Sequence, residues 1–324
     1  MIIYYFLIII SFLIILEILL HLVIFYFRKN FQWLITEKDE YPNFDNIALE
    51  KFFKNSFDKE LGWVRKPNSS GIEKAKHEEI KYYIDDSGSR LISANFTNDP
   101  IIATFGDSYT FCRQVNNEYT WQEFISKQNN IFVSNFGVGN YGLDQAYLKY
   151  LNQLKKPSGK TIVFGIVPET ICRIQSSWKH YLEFGNIHGF KPYCKLEGNK
   201  VVIKPNPLKK KTKIYEIEKV INKTKFFDRF YQDKYLKYLL KFPYLINFIK
   251  NYDFNLRVFY KIFVSKILNN NNKLQDEIFP IVMRSNIKIS HSLYDEEYSK
   301  KLLEELIIKI NKQISKKNKC YFII

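Results

Sequence analysis

Short runs of continuously apolar residues, separated by segments long enough to form helices, dominate the middle of this chain. The runs are Ile101–Phe105, Ile131–Phe136 and Thr161–Val167. Helices are predicted between them over Thr120–Gln128 and Leu143–Leu154. Strands that are apolar on both sides and alternate with helices are typical of a parallel sheet covered on both faces. The pattern therefore predicts an α/β fold.

This alternation stops after Val167 and returns only near the end of the chain. In between, residues 190–196 and 200–203 predict a β hairpin, and residues 214–268 predict mostly helices rich in aromatic side chains. An amphipathic helix over Asp295–Lys316 and a fourth parallel strand over Cys320–Ile324 are predicted to follow.

A small β region is expected ahead of the sheet. Lys66–Gly71 and Asp85–Gly88 have the composition of turns, and Ile80–Ile84 between them is a strand candidate. Residues 30–58, which are rich in aromatic side chains, are predicted to form a partly helical connector.

The N-terminal segment Ile2–Phe27 is almost wholly apolar. At about 1.5 Å per residue it can cross a hydrocarbon core of roughly 30 Å, so we expect one transmembrane helix. A cleaved signal peptide would begin with basic residues and end at small ones. Here no Lys or Arg precedes Arg28 and the first alanine is Ala48, so we expect the helix to remain as an anchor.

Two polar residues, Glu17 and His21, interrupt this segment four positions apart on one helix face. We expect them to hydrogen-bond each other or to contact another helix, and the alternative for a charged residue in a membrane is a part in catalysis. Arg28, Lys29 and Lys38 follow the segment, so the positive-inside rule predicts a cytoplasmic soluble part. The family resemblance described below favours the opposite side.

The composition of the chain bears on its class and on its possible partners. The 324 residues are 46% hydrophobic and 17% aromatic, which is typical of a globular chain, and the formal charge of +16 comes mostly from scattered lysines. No zinc finger, RNP-like motif or long basic helix accompanies them, so we expect a solvated surface and no nucleic-acid partner, with an anionic membrane face or polymer as the alternative. The cysteines have no metal-ligand spacing, and neither a metal nor a cofactor is predicted.

The candidate chemistry lies at Gly106-Asp107-Ser108, directly after the first apolar run. A buried strand that ends at this tripeptide and leads into a helix places a hydroxyl at a strand-to-helix turn, a common position for a nucleophile in α/β proteins. Ser108 is therefore the candidate nucleophile. Asp107 is expected to brace the turn by hydrogen bonds to backbone amides.

Two blocks of sequence resemble a known family. Phe105–Phe111 and, one βα unit later, Asn135–Gln145 are similar to the first two conserved blocks of the SGNH/GDSL hydrolases. Leu61-Gly62-Trp63, Lys66-Pro67-Asn68 and the turn at residues 85–90 resemble membrane-anchored members of that superfamily. The resemblance divides the chain into an anchor (1–28), a connector with a β preface (29–98) and an SGNH-like domain (99–324) with an insertion at about 170–295.

The resemblance implies a flavodoxin-like α/β/α sandwich whose ligands gather at the carboxyl ends of the strands. Ser108 Oγ would attack an ester carbonyl, and the backbone N–H groups of Ser108 and of Gly139 or Asn140 would hold the oxyanion. The implied substrate is an acyl ester of a carbohydrate or surface polymer, and no cofactor is required.

Two features depart from the family pattern. The third block carries an Asn that completes the oxyanion hole, whereas this chain has Glu169, a carboxylate that would repel an oxyanion. The Asp-x-x-His block that supplies the base is absent from the sequence. An inactive or truncated SGNH-fold protein that acts as a binding module is therefore the alternative to an esterase. A phosphate-binding flavodoxin-like protein is a third, although Gly106 is not followed by a phosphate-cradling loop.

The histidines offer no obvious base. His21 lies in the membrane segment and His77 in the β preface. His180 and His188 follow the third strand and could approach its carboxyl end, or could serve as ordinary surface or core residues. His291 is expected at the far edge of the sheet. None of the five completes a triad on sequence grounds.

We predict that the chain is an integral membrane protein, because the 26 residues of Ile2–Phe27 bury far more apolar surface than insertion of Glu17 and His21 costs. Membranes that contain the chain should retain it in the pellet after an alkaline carbonate wash. Release into the supernatant, or a mature N-terminus beyond Phe27, would contradict the anchor.

Overall fold

The computed structural model of the chain describes residues 1–27, 34–74, 79–92, 96, 98–154, 159–267 and 274–324. His77 lies outside the described residues. The described strands are β1 (Phe57–Asp58), β2 (Gly62–Trp63), β3 (Ser69–Lys74), β4 (Glu79–Ile84), β5 (Ile102–Phe105), β6 (Val133–Asn135), β7 (Thr161–Gly165), β8 (Tyr193–Glu197), β9 (Lys200–Lys204) and β10 (Lys319–Ile323).

The helices alternate with the strands in the middle of the chain and dominate its later part. They are α1 (Ile2–Phe27), α2 (Asn46–Asn55), α3 (Ser108–Phe111), α4 (Trp121–Asn129), α5 (Leu143–Gln153), α6 (Thr170–Arg173), α7 (Lys179–Glu183), α8 (Ile214–Thr224), α9 (Leu236–Tyr238), α10 (Tyr244–Lys250), α11 (Tyr252–Ile267), α12 (Leu274–Asp295) and α13 (Glu297–Ile314). Shorter turns are a 3₁₀ turn at Glu37–Glu40, another at Asn117–Tyr119 and a π-helical turn at Tyr231–Tyr235.

Four strands form a parallel sheet in the order β6, β5, β7, β10. The predicted α/β class, with a parallel sheet and an apolar N-terminal helix, is therefore confirmed. Each of the four apolar runs forms one of the strands. β5, β6 and β7 are shorter than their runs, whereas β10 has the predicted length and begins one residue earlier. β7 ends at Gly165, so that Ile166 and Val167 belong to the loop at the carboxyl end of the sheet.

The two faces of the sheet are covered differently. On one face Phe105, Phe164 and Phe322 lie side by side with ring centroids 5.8 and 5.7 Å apart, and Tyr150 of α5 packs on the first two. On the other face α4 covers the middle, where Gln122 donates to Thr104 Oγ1. Beyond α4, Tyr321 and Ile323 of β10 are 52% and 53% exposed. This part of the sheet leaves apolar surface open.

The β preface joins the sheet at Arg90. β3 and β4 form an antiparallel hairpin, so the predicted turn over Lys66–Gly71 is wrong from Ser69 onward, where the chain is already a strand. A strand starts here because Ser69 and Ser70 find backbone partners in β4, which composition alone does not reveal. Arg90 N then donates to Asn135 O of β6 at 2.7 Å, which joins the preface to the sheet.

α1 is 26 residues long and apolar enough to span a membrane. Residues 1–15 are exposed along their whole length, and only the later part packs on the rest of the chain. Glu17 does not bond His21 there. Instead its carboxylate accepts hydrogen bonds from the backbone N–H groups of Tyr244 and Leu245, the first residues of α10, and the His21 ring lies 5.1 Å from that of Tyr244. The expected contact with another helix is therefore present.

His180 belongs to the core and not to a catalytic group. Its Nε2 donates to the Asp39 carbonyl at 2.8 Å, because its Nδ1 accepts from Gly185 N at 3.0 Å, and these bonds tie α7 to the Glu37–Glu40 turn. Burial lowers the pKa of His180 from 6.5 to about 4. The folded chain therefore keeps this imidazole neutral at a pH where an unfolded chain would protonate it.

This shift predicts an acid-labile fold. Between pH 6.5 and about 4, His180 binds a proton in the unfolded state but not in the folded state. The free energy of unfolding should therefore decrease as pH falls through that range. The full loss is on the order of 3 kcal/mol. Chemical denaturation at neutral and acidic pH should show that His180→Gln lowers stability at neutral pH but flattens its pH dependence. An identical pH dependence for both proteins would contradict the assignment.

Candidate functional site

The predicted nucleophile lies where strand β5 turns into helix α3. Ser108 is the first residue of α3, and Asp107 precedes it as the N-cap, with its Oδ1 accepting from Tyr109 N at 2.9 Å. The turn requires Gly106, because a Cβ there would lie 2.1 Å from Thr110 Oγ1 and 2.8 Å from the Gly165 carbonyl oxygen. The N–H of the first helical residue has no partner inside a helix, so the Ser108 amide is suited to bind an anion.

The second block lies directly beside this turn. Val138 N donates to Gly106 O at 3.0 Å, and a Cβ on Gly137 would lie only 2.4 Å from Phe111 N of α3. Gly139 and Asn140 are the central residues of the β-turn that Tyr141 N closes onto Val138 O, and Asn140 has a φ of 67°. The closing hydrogen bond of such a turn does not use the N–H groups of its central residues. The structure thus brings Ser108, Gly139 and Asn140 to one edge of the sheet.

Trp63 holds the turn of the second block from outside. Its indole Nε1 donates to Gly139 O at 3.0 Å, and Tyr141 Oη donates back to Trp63 O at 2.5 Å. The two rings pack edge to face with centroids 5.8 Å apart. Because the Gly139 carbonyl is fixed in this way, the peptide plane that carries the Asn140 N–H is fixed as well.

A buried ion pair joins the two blocks to α6, the short helix after β7. Arg173 Nη1 donates to Asp107 Oδ2 at 2.8 Å and to Tyr141 O at 3.1 Å. The side chains of Arg173 and Asp107 are 8% and 3% exposed. A single guanidinium therefore fixes both the carboxylate that caps α3 and the backbone of the second block.

Lys191 supports Arg173 from behind. Its ammonium group donates to the Arg173 and Ser176 carbonyls at 2.8 and 3.2 Å and pairs with Asp144 of α5 at 2.7 Å. Burial raises the pKa of Asp144, and the Lys191 charge opposes that shift. Two buried cations and two buried carboxylates thus lie under the candidate site.

The far end of α3 is held by Arg90. This buried guanidinium donates to the carbonyl oxygens of Phe111, Cys112 and Val115 at 2.6 to 2.8 Å and to Asn117. Burial lowers the pKa of Arg90 to about 10, so it stays charged at neutral pH. The short helix that carries Ser108 is consequently fixed at both ends by arginine.

A polar cleft of about 390 Å³ lies beside the turn of the second block, lined among others by Trp63, Arg65, Gly139, Asn140 and His188. Glu73 and Arg113 also line this polar cleft, and Glu73 accepts from Arg65 at 2.5 Å and from Arg113 at 2.9 Å. Two guanidinium groups against one carboxylate leave the cleft with an excess of positive charge.

A separate apolar cavity of about 790 Å³ lies beside α3, lined among others by Asp107, Tyr109, Val163, Glu169 and His291. Its walls continue onto the open part of the sheet face at Ile323. Both sequence neighbours of Ser108 line this apolar cavity, while Arg113 N, which donates to Ser108 O at 3.1 Å, belongs to a residue of the polar cleft. Ser108 itself lines neither space, although its immediate neighbours line the apolar cavity.

The other residues considered from the sequence line either the polar cleft or the apolar cavity. Glu169 lines the apolar cavity, away from the Gly139 and Asn140 amides of the polar cleft. His291 lies on the β10 side of the sheet, as expected, but it shares the apolar cavity with Asp107. His188 lines the polar cleft, stacked on Phe52 with ring centroids 5.2 Å apart, and burial lowers its pKa.

No hydrogen bond joins Ser108 Oγ to a histidine in the part of the chain that the structure describes. Within the same described residues, no cluster of three or more His, Cys, Asp or Glu side chains could hold a metal ion. No family model matches this chain, and no curated protein matches it either. The chemistry of the site therefore has to be argued from its own residues.

Sequence reasoning missed Arg173 and Arg90. The sequence does contain a signal that could have found them, namely the rarity of arginine, which accounts for only eight of the 49 basic residues. In a chain that otherwise uses lysine, an arginine marks a position that needs several donors in a fixed plane. Arg65, Arg90, Arg113 and Arg173 all lie around α3.

Arg173→Met should destabilise the fold by about 3 to 5 kcal/mol, because it leaves the Asp107 carboxylate buried without its cation. Adding Asp107→Asn should recover part of that loss, since the amide carries no charge. Denaturant titrations of the two single variants, the double variant and the parent measure the coupling. Arg113→Ala is the matched control, because Arg113 is 55% exposed and its loss should cost under about 1 kcal/mol. Additive losses for Asp107 and Arg173 would contradict a shared role.

Proposed function

We propose that this chain is an SGNH/GDSL-type serine ester hydrolase or acyl-transfer enzyme, built on a flavodoxin-like sandwich and held to a membrane by α1. The observation that carries the proposal is the position of Ser108, the first residue of α3, beside the Gly139 and Asn140 turn. The strand order β6, β5, β7, β10 supports the flavodoxin-like assignment, because the first strand of the sheet lies inside and the second at its edge.

In the proposed reaction Ser108 Oγ attacks the carbonyl carbon of an ester, and its proton leaves with the alcohol. Backbone N–H groups of Ser108 and of Gly139 or Asn140 hold the negative oxygen of the tetrahedral intermediate, and each donor is worth about 3 kcal/mol in the transition state. Water, or an acceptor hydroxyl in the transfer reaction, then takes the acyl group from Ser108.

The polar cleft and the apolar cavity suit the two halves of such a substrate. The polar cleft, with Trp63 and two arginines, suits a hydroxyl-rich or anionic group such as a sugar of a surface polymer. The apolar cavity, lined by Tyr109, Trp121 and Ile125, suits an acyl group. An acyl ester of a carbohydrate is therefore the proposed substrate class.

A general base is the missing element of this proposal. His188 is the first candidate, because it lines the same cleft as the amides of Gly139 and Asn140, and its lowered pKa keeps it neutral at pH 7. His291 is the second, because it shares the apolar cavity with Asp107. Neither is bonded to Ser108 in the described chain, so base assistance needs a rearrangement on substrate binding.

The second candidate function is a binding module that keeps the fold without the chemistry. Two observations favour it, namely the carboxylate of Glu169 where the family has an amide, and the absence of a histidine bonded to Ser108 in the described residues. Such a module would bind the same acylated polymer and leave it intact.

A small fluorophosphonate should label Ser108 slowly, because general-base help worth about 10²- to 10⁴-fold is not preassembled. Ser108→Ala should abolish the labelling, measured by intact mass. Ser56→Ala is the matched control, since Ser56 lines the polar cleft without belonging to the turn. Equal labelling of Ser108→Ala would show that Gly106-Asp107-Ser108 is only a turn.

The pH dependence of this labelling separates the two functions. Attack without a base should rise steadily with hydroxide, whereas attack assisted by histidine should level off above the pKa of that histidine. A plateau that disappears in His188→Ala or in His291→Ala, together with turnover of a chromogenic acetate ester, supports the enzyme. A steady rise without turnover supports the binding module.

A further inference from the structure

Helix α11 has two apolar faces. Phe254, Val258 and Ile262 are buried on the face that packs against α12. The opposite face carries an apolar stripe, defined as Tyr252, Leu256, Tyr260, Phe263 and Ile267, whose members are 53% to 65% exposed. At 3.6 residues per turn these five residues fall within an arc of about 80°. A helix on the surface of a water-soluble protein has charged residues on this face.

Helix α10 extends the stripe. Its Ile246 and Ile249 are 54% and 57% exposed. The ring of Phe248 in α10 packs edge to face on Phe259 in α11, with centroids 5.3 Å apart. Because the two helices are joined in this way, their exposed apolar residues belong to one surface.

The stripe is connected to α1 through α10. Glu17 accepts from the first two backbone N–H groups of α10, and His21 packs on Tyr244. The freely exposed residues 2–15 of α1 account for only about 20 Å at 1.5 Å per residue, which is less than the roughly 30 Å of a hydrocarbon core. The part of α1 that contacts α10 is therefore needed to complete the span, and α10 begins at the depth of the membrane boundary.

The charges beside the stripe fit a lipid surface. Arg257 flanks it on one side and Lys266 on the other, and Lys250 ends α10. Arg257 pairs with Asp253 one turn earlier, and Lys261 pairs with Glu277. Long basic side chains at the edge of an apolar face extend to phosphate groups while their stems stay in the apolar layer.

We propose that α10 and α11 lie in the membrane interface, with the apolar stripe in the acyl-chain region and the basic flanks at the lipid phosphates. This inference rests on the proposed anchoring by α1. The partner that covers the stripe is the lipid bilayer itself, because α1 places the bilayer next to α10. Acyl chains would then cover the apolar side chains and keep them out of water. An interfacial helix of this kind lies about 5 to 10 Å below the membrane surface.

The test uses the full chain in vesicles of phosphatidylcholine and phosphatidylglycerol that carry nitroxides near the headgroup end of the acyl chains. Cys112→Ser and Cys320→Ser remove the two half-exposed native thiols. Leu256→Cys and Phe263→Cys each place a bimane label on the stripe. Phe226→Cys is the matched control, because Phe226 is a 91% exposed aromatic residue of the soluble part, outside α10 and α11.

Quenching at positions 256 and 263 should exceed that at 226 by at least about two-fold if the labels sit at interfacial depth. Leu13→Cys reports the anchor separately, in vesicles whose nitroxides lie near the methyl end of the acyl chains, because position 13 falls near the middle of the hydrocarbon core. Strong quenching at 13 with quenching at 256 and 263 no greater than at 226 would overturn the interfacial stripe and keep the anchor. Absence of quenching at 13 would overturn the anchor itself. Each label is on an exposed residue, so folding should be unaffected, and circular dichroism checks this.

Discussion

The contact between Arg173 and Asp107 is the constraint on which the candidate site depends. A nearly buried carboxylate caps the helix of Ser108, and it tolerates burial only because a guanidinium lies 2.8 Å away. The same guanidinium donates to Tyr141 O, and the backbone carbonyl of Arg173 accepts a hydrogen bond from Lys191. Three segments that are distant in sequence are thereby locked in one arrangement at the carboxyl edge of the sheet.

Two unlike environments adjoin the two blocks, the polar cleft at Gly139 and Asn140 and the apolar cavity at Asp107 and Tyr109. The polar cleft is lined by arginine, histidine and Trp63, whereas the apolar cavity runs onto an uncovered part of the sheet. A molecule that fits both must have a polar and an apolar portion. An acylated polymer has this construction, whichever of the two proposed functions is performed on it.

The sheet and the Gly106-Asp107-Ser108 turn were predictable because their signals are local. A continuous apolar run can be recognised without knowledge of its pairing partner, and Gly106 is required in part by Thr110, only four residues later. β3 was missed because Ser69 becomes a strand only through its pairing with Ile84. Arg173 was missed because its partner is 66 residues away, and no periodicity encodes such a pair. His291 came to the apolar cavity through the packing of α12, which composition does not determine.

The bond from Glu17 to α10 also changes what kind of attachment α1 is. A flexible tether would let the soluble part swing through a hemisphere above its membrane. In this chain the Glu17 carboxylate of α1 is bonded to α10, and Ile24 is buried against the rest of the chain. α1 is therefore rigidly attached to the soluble part. If α1 crosses a bilayer, Ser108 stays at one height, and the chain meets its ligands by lateral diffusion in a plane. A ligand must then itself extend to the height of Ser108 above the membrane.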